Sequence, residues 1–133
     1  MSPTAVANCR ARFVDDPGKR FATMEQYRGE TADLTLSLDV IFHLVEDEVY
    51  TTHLRQLFAA ARRFVIIYSS NREPDAGEVA APHFRHRRFT DWVATNAPNF
   101  RLRAHTPNPF PYNGDEASTS VADFYVYERT TAD

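Results

Sequence analysis

The sequence predicts an α/β fold: a parallel strand–helix–strand part followed by an antiparallel pair of strands at the C-terminal end. Three observations predict it. Residues 33–40, Asp33-Leu34-Thr35-Leu36-Ser37-Leu38-Asp39-Val40, alternate leucine with small polar residues, which is the period of a strand. Residues 46–62 place Val49, Leu54, Leu57, Phe58 and Ala61 at helical spacing, and residues 64–68 follow as a nearly continuous β-branched and aromatic run. Two further strand-like segments, 100–105 and 121–128, flank a connection rich in proline, asparagine and glycine, as a hairpin would.

In chain order, Ser2 and Pro3 suit the cap and first position of a helix, and Ala5, Val6, Cys9 and Phe13 continue it at helical spacing. Asp15-Asp16-Pro17-Gly18 ends it, because a residue before proline avoids the helical region. A helix start this close to Met1 leads us to expect that further chain once preceded it. Residues 20–24 read as a short strand, and Arg28-Gly29-Glu30 as a turn. The helix over 46–62 opens with Glu46, Asp47 and Glu48 and closes with Arg62-Arg63, matching the helix dipole at both ends. Residues 69–82 are polar with one glycine and two prolines, hence a long loop, and 89–96 is a short helix stopped by Pro98. The whole chain, 1–133, reads as one domain.

Composition narrows the function classes. Of 133 residues, 43% are hydrophobic and the net charge is -3, a balance that suits a globular protein and gives no sign of nucleic-acid or membrane-surface binding. Cys9 is the one cysteine, so no disulfide framework exists within the chain, and a reducing compartment is expected. No apolar run approaches the roughly 20 residues that cross a bilayer. No secretory signal pattern is visible, so we expect a cytoplasmic protein.

No glycine-rich phosphate cradle and no nucleophile elbow can be built from the four scattered glycines. In open α/β sheets, ligands sit at the carboxyl ends of parallel strands, which draws attention to Ser37, Asp39 and His43, and to Tyr68, Ser69, Ser70, Asn71 and Arg72. Asp39 could equally cap a turn, and His43 could simply pack. His83-Phe84-Arg85-His86-Arg87-Arg88-Phe89 admits three readings: two metal-binding histidines, a basic segment supplying a base or holding an acidic group, or a solvated turn. Metal binding would need a further ligand that spacing does not indicate. His53 reads as an exposed helix residue, His105 as part of an outer strand, and Trp92 as core.

Residues 32–44, ending His43-Leu44, resemble the fourth-strand motif of class I S-adenosylmethionine (SAM)-dependent methyltransferases: an Asp, an apolar strand, then a turn often ending Glu-His-Leu, here with Phe42 in place of the Glu. Arg62-Arg63-Phe64-Val65-Ile66-Ile67-Tyr68-Ser69-Ser70 is similar to the fifth strand, His86 to Trp92 to the turn and helix after it, and Ala122-Asp123-Phe124-Tyr125-Val126-Tyr127-Glu128 to the last strand.

The resemblance covers nearly the whole chain. It implies a partial Rossmann-like methyltransferase sheet, N-terminally truncated, without the glycine-rich SAM segment or the first two strands. It implies SAM as cofactor and methyl transfer to a small-molecule acceptor. It places Met24 and Glu25 near adenine, Ser37, Leu38 and Asp39 along the methionine side, and His43 near the methyl donor, with His43, His83 and His86 as candidate bases. It also leaves the family's fourth strand with a bare edge, open to a homodimer contact, to a partner chain supplying the missing strands, or to a non-catalytic role built on such pairing.

Overall fold

The computed structural model describes residues 2–74, 82–115 and 117–130. The chain divides into two compact units, Met1–Glu30 and Thr31–Asp133.

In the first unit, helix α1 (Pro3–Arg12) begins as expected with proline in its first turn, although the Ser2 side chain makes no cap hydrogen bond. Arg10 donates to the Phe21 carbonyl and to Gln26, and the rings of Phe13 and Phe21 stack 5.5 Å apart. The strand expected over 20–24 is not formed. Residues 20–23 pair with no strand, and Met24–Gln26 is a single 3-10 turn. A strand exists only as a member of a ladder, and this segment has none to join.

The second unit holds a four-stranded sheet made of β1 (Ala32–Leu38), β2 (Ala61–Ser69), β3 (Phe100–Thr106) and β4 (Asp123–Arg129), in the order β1-β2-β4-β3. β1 and β2 are parallel, while β4 runs antiparallel to both β2 and β3. Helix α2 (Asp47–Ala60) connects the parallel pair, and α3 (Phe89–Asn96) precedes β3. This is the expected parallel part followed by an antiparallel hairpin. The loop expected over 69–82 lies partly outside the described residues.

One face of the sheet carries the core. Val65 and Ile67 of β2 and Tyr125 and Tyr127 of β4 pack with Leu54, Leu57 and Phe58 of α2 and with Phe89 and Val93 of α3. Burial follows the period-two direction of the strands and the helical stripe of α2. Tyr50, not Val49, belongs to that stripe; Val49 is 48% exposed.

Two expectations are corrected, the end of α2 and the exposure of His53. α2 ends at Ala60, so Arg62 and Arg63 do not close a helix but lie in β2, where Arg62 Nε donates to Asp33 Oδ1 at 2.9 Å. In β1 the burial phase is opposite to the hydrophobicity phase. Ser37 is buried, whereas Leu34, Leu36 and Leu38 are 42–53% exposed. The small residues face α2, because their hydroxyls find partners there: Thr35 Oγ1 donates to the Leu57 carbonyl at 3.0 Å, and Ser37 Oγ lies 3.0 Å from His53 Nε2. His53 is therefore a packed helix residue, not an exposed one.

No helix among the described residues is long and apolar enough to cross a membrane.

Candidate functional site

β1 stops at Leu38 because Asp39 adopts φ 61°, a left-handed conformation that aspartate tolerates better than most residues. Its amide donates to the Tyr68 carbonyl at 3.0 Å, which ties the turn to the end of β2. The chain then makes a 3-10 turn, Ile41–His43, which buries Ile41 and Phe42 and leaves His43 at the surface. The Asp39 carboxylate is exposed, as is the side chain of Leu38.

The segment 83–88 folds onto this turn. Arg85 N–H donates to the Phe42 carbonyl at 2.8 Å. His43 Nδ1 lies 3.0 Å from the His83 carbonyl oxygen, which can only accept. Nδ1 therefore carries a proton in this contact, and Nε2 is the ring nitrogen that it does not use. Phe84 stands between the histidines: its ring centroid is 4.7 Å from Phe42, 5.8 Å from His43 and 4.6 Å from His86. Arg87 fixes the segment from below, donating to the carbonyls of Leu44 at 2.8 Å and Val45 at 2.5 Å, with its guanidinium 4.4 Å over the Tyr50 ring.

The three candidate histidines thus converge on one end of the parallel pair, but in different states. His43 and His83 are exposed, while His86 is 5% exposed, with Nδ1 2.8 Å from Ser70 Oγ. Ser70 and Ser69 close β2, both buried, and Asn71 bonds Thr90 at the start of α3 through both its side-chain amide and its carbonyl. Ser37 sits beneath the site with its hydroxyl committed to His53. Burial holds the His53 imidazole below its ordinary pKa. In the first unit, Met24 and Glu25 occupy the 3-10 turn and are exposed. The Glu25 carboxyl is held below its usual range by a hydrogen bond with the Thr23 side chain and then by its own backbone.

The same end of the sheet carries a pair that the sequence reading set aside. β3 ends and β4 begins beside Ser69, through the Ser69–Asp123 pairing. There His105 Nε2 lies 2.8 Å from Asp123 Oδ2, and the imidazole stacks on Tyr125 at 4.5 Å and 19°. Asp123 Oδ1 accepts the Asn108 backbone N–H at 2.8 Å, and Asn108 Nδ2 donates to the Tyr68 hydroxyl at 2.7 Å. His105 pairs with Tyr125 across the hairpin and so lies diagonal to Asp123, a register that could not be counted from sequence through a 16-residue connection. Among the described residues, no group of three or more His, Cys, Asp or Glu side chains is placed to hold a metal ion.

No sequence-family model matches the chain, and no curated protein matches it. Solved structures do. Magnesium protoporphyrin IX methyltransferase (ChlM) from Synechocystis PCC 6803 with bound SAM aligns with a TM-score of 0.59 at 18% identity, over 98% of this chain and 57% of that one. TnmH aligns at 0.59 and 16% identity, over 96% of this chain and 40% of that one. The mitomycin 7-O-methyltransferase MmcR aligns at 0.59 and 15%, over 98% and 40%. The chain spans between two fifths and three fifths of these proteins' lengths. The resemblance to class I methyltransferases therefore holds at the level of the fold: the chain has part of their α/β sheet.

Proposed function

We propose that this chain is a class I SAM-dependent methyltransferase domain, spanning 1–133, that acts on a small-molecule acceptor in the cytoplasm. The observation that carries the reading is the end of the parallel pair. There the left-handed Asp39 turns the chain out of β1, and the exposed His43 ring is oriented by its Nδ1 contact with the His83 carbonyl.

The residues present fit the amino-acid end of a sulfonium donor. That end carries an ammonium group, which the exposed Asp39 carboxylate complements, beside the apolar Leu38. Ser37 has only its main chain to offer, since its hydroxyl is used by His53. SAM, when bound, supplies an electrophilic methyl group. His43 stands on that donor side, His83 orients its ring through a backbone carbonyl, and His86 and Phe84 form the wall behind it. Alignment of donor and acceptor is the main catalytic contribution such a site makes.

Calorimetric titration with S-adenosylhomocysteine, the demethylated product, tests this. Saturable binding that weakens in Asp39→Ala supports the assignment, whereas absence of binding up to millimolar ligand rejects it.

A second reading has its own observation. β1 is an edge strand, and its three leucines are about half exposed on the face away from α2. A non-catalytic protein that pairs through this edge with a second copy, or with a chain supplying further strands, would use that surface. Light scattering across a concentration series separates the two: self-association without nucleoside binding favours this reading.

A further inference from the structure

A groove lies at the opposite end of the sheet, where β2 and β3 start and β4 ends. Its floor is aromatic. Phe58 of α2 meets Trp92 of α3 and Phe100 of β3, with ring centroids 6.3 Å and 5.1 Å away. Trp92 is half-buried, so part of its indole completes the core and the rest is left to the groove. Two guanidinium groups line the same groove. Arg129 is fixed in place: it donates to the Ala61 carbonyl at 2.7 Å and lies 4.6 Å over the Phe100 ring, which leaves further N–H donors unused. Arg55, at an exposed position of α2, has no hydrogen-bond or ion-pair partner among the described residues. No carboxylate among the described residues lines the groove. It is therefore positive in a chain whose net charge is -3.

We propose that this groove binds a small aromatic carboxylate, one ring carrying its acid on a short stem. Volume sets the size. The groove measures about 250 Å³. A cavity of about 150 Å³ holds one benzene ring, so the remainder suits a carboxylate and leaves no room for a nucleoside. Chemistry sets the class. The ring covers the faces of Trp92 and Phe100, and the carboxylate accepts from the guanidinium groups in the paired geometry that arginine offers. A neutral arene would leave Arg55 unpaired, and an aliphatic acid would leave the rings wet. Ala61 and Ser69 are the two ends of β2 and stand roughly 26 Å apart. A ligand in this groove therefore does not reach Asp39 or His43, and the inference holds whether or not the chain transfers methyl groups.

Trp92 is the only tryptophan, so its emission reports on the groove. The full chain is titrated with phenylacetate, with phenylacetamide as the neutral probe and acetate as the ringless one. Phenylacetate is expected to change the emission saturably, with a dissociation constant in the millimolar range for its roughly ten non-hydrogen atoms. Both control probes are expected to bind about tenfold more weakly or worse. Arg55→Gln is expected to weaken phenylacetate about tenfold with an unchanged circular dichroism spectrum, and Arg63→Gln, outside the groove, to leave the affinity as it was. On the unmodified chain, amide shifts under phenylacetate should move at Arg55, Trp92 and Phe100 and stay still at Asp39 and His43. No saturable change up to about 50 mM phenylacetate overturns the proposal. So does an equal response to phenylacetamide, full affinity in Arg55→Gln, or amide changes gathered at Asp39 and His43. Should Arg55→Gln not fold, the comparison of acid with amide and the shift map decide the matter on the unmodified chain.

Discussion

Replacing Tyr127 with phenylalanine should stabilise the protein. Tyr127 lies on the covered face of β4 at 4% exposure, opposite Val65, with its ring edge-on to Phe58 at 5.6 Å. Its hydroxyl oxygen has no hydrogen-bond partner among the described residues. Burial pushes its pKa well above the ordinary tyrosine value, and the neighbouring Tyr125 and Tyr50 hydroxyls add to the shift. A buried, unpaired hydroxyl costs about 1–3 kcal/mol of desolvation with nothing in return. Deleting one oxygen leaves a small void that gives back part of this. The net gain is about 1 kcal/mol, worth roughly 3–5 °C in melting temperature for a chain of this size. The control is Thr35→Val, which removes the hydroxyl that donates to the Leu57 carbonyl and should cost about 1 kcal/mol. Urea unfolding followed by circular dichroism measures both, with the slope unchanged and only the midpoint moving. A Tyr127→Phe protein that is 1 kcal/mol or more less stable would show that the hydroxyl is bonded, and the reasoning would fail.

Three more outcomes follow from the same structure. His53 is held below its ordinary pKa by burial, so it is neutral in the folded chain and titrates near 6.5 when unfolded. Its contribution is fully present above pH 6.5, and stability should fall as the pH drops below it; in His53→Gln, urea midpoints between pH 7.5 and 5.5 should lose that slope. Arg87→Met removes the fork on the Leu44 and Val45 carbonyls and should destabilise by about 2 kcal/mol; an unchanged urea midpoint would show that segment 83–88 is held by other contacts. Leu36→Lys places a charge on the exposed face of the β1 edge, and any self-association seen by light scattering should be abolished without loss of the folded spectrum.

The order of elements was legible because it is written in local periodicity. The alternation at 33–40, the apolar run at 64–68 and the proline-punctuated segments at 89–106 each report a backbone that needs no distant partner to be recognised. What failed needed long-range information. In β1 the leucines are half-exposed while Ser37 is buried and Thr35 half-buried, because α2 offers the Leu57 carbonyl and His53 to their hydroxyls. Arg62 and Arg63 read as the basic end of a helix, but β1 already supplies Asp33 across the ladder, so the strand begins before them. Residues 20–24 have a strand-like composition without a strand to pair with. For the site, the histidines at 43, 83 and 86 were found through strand-end position and a basic aromatic motif, and a single fold in the chain brings them together. The His105–Asp123 pair depends on hairpin register across a long connection, which no local pattern encodes.

The most direct test of the central claim is a backbone amide NMR titration of the chain with S-adenosylhomocysteine. The account predicts chemical-shift changes concentrated at Leu38, Asp39, Val40 and His43, extending to Phe84 and His86. Saturation without change at those amides, or changes confined to the groove between α2 and α3 around Arg55 and Trp92, would contradict it.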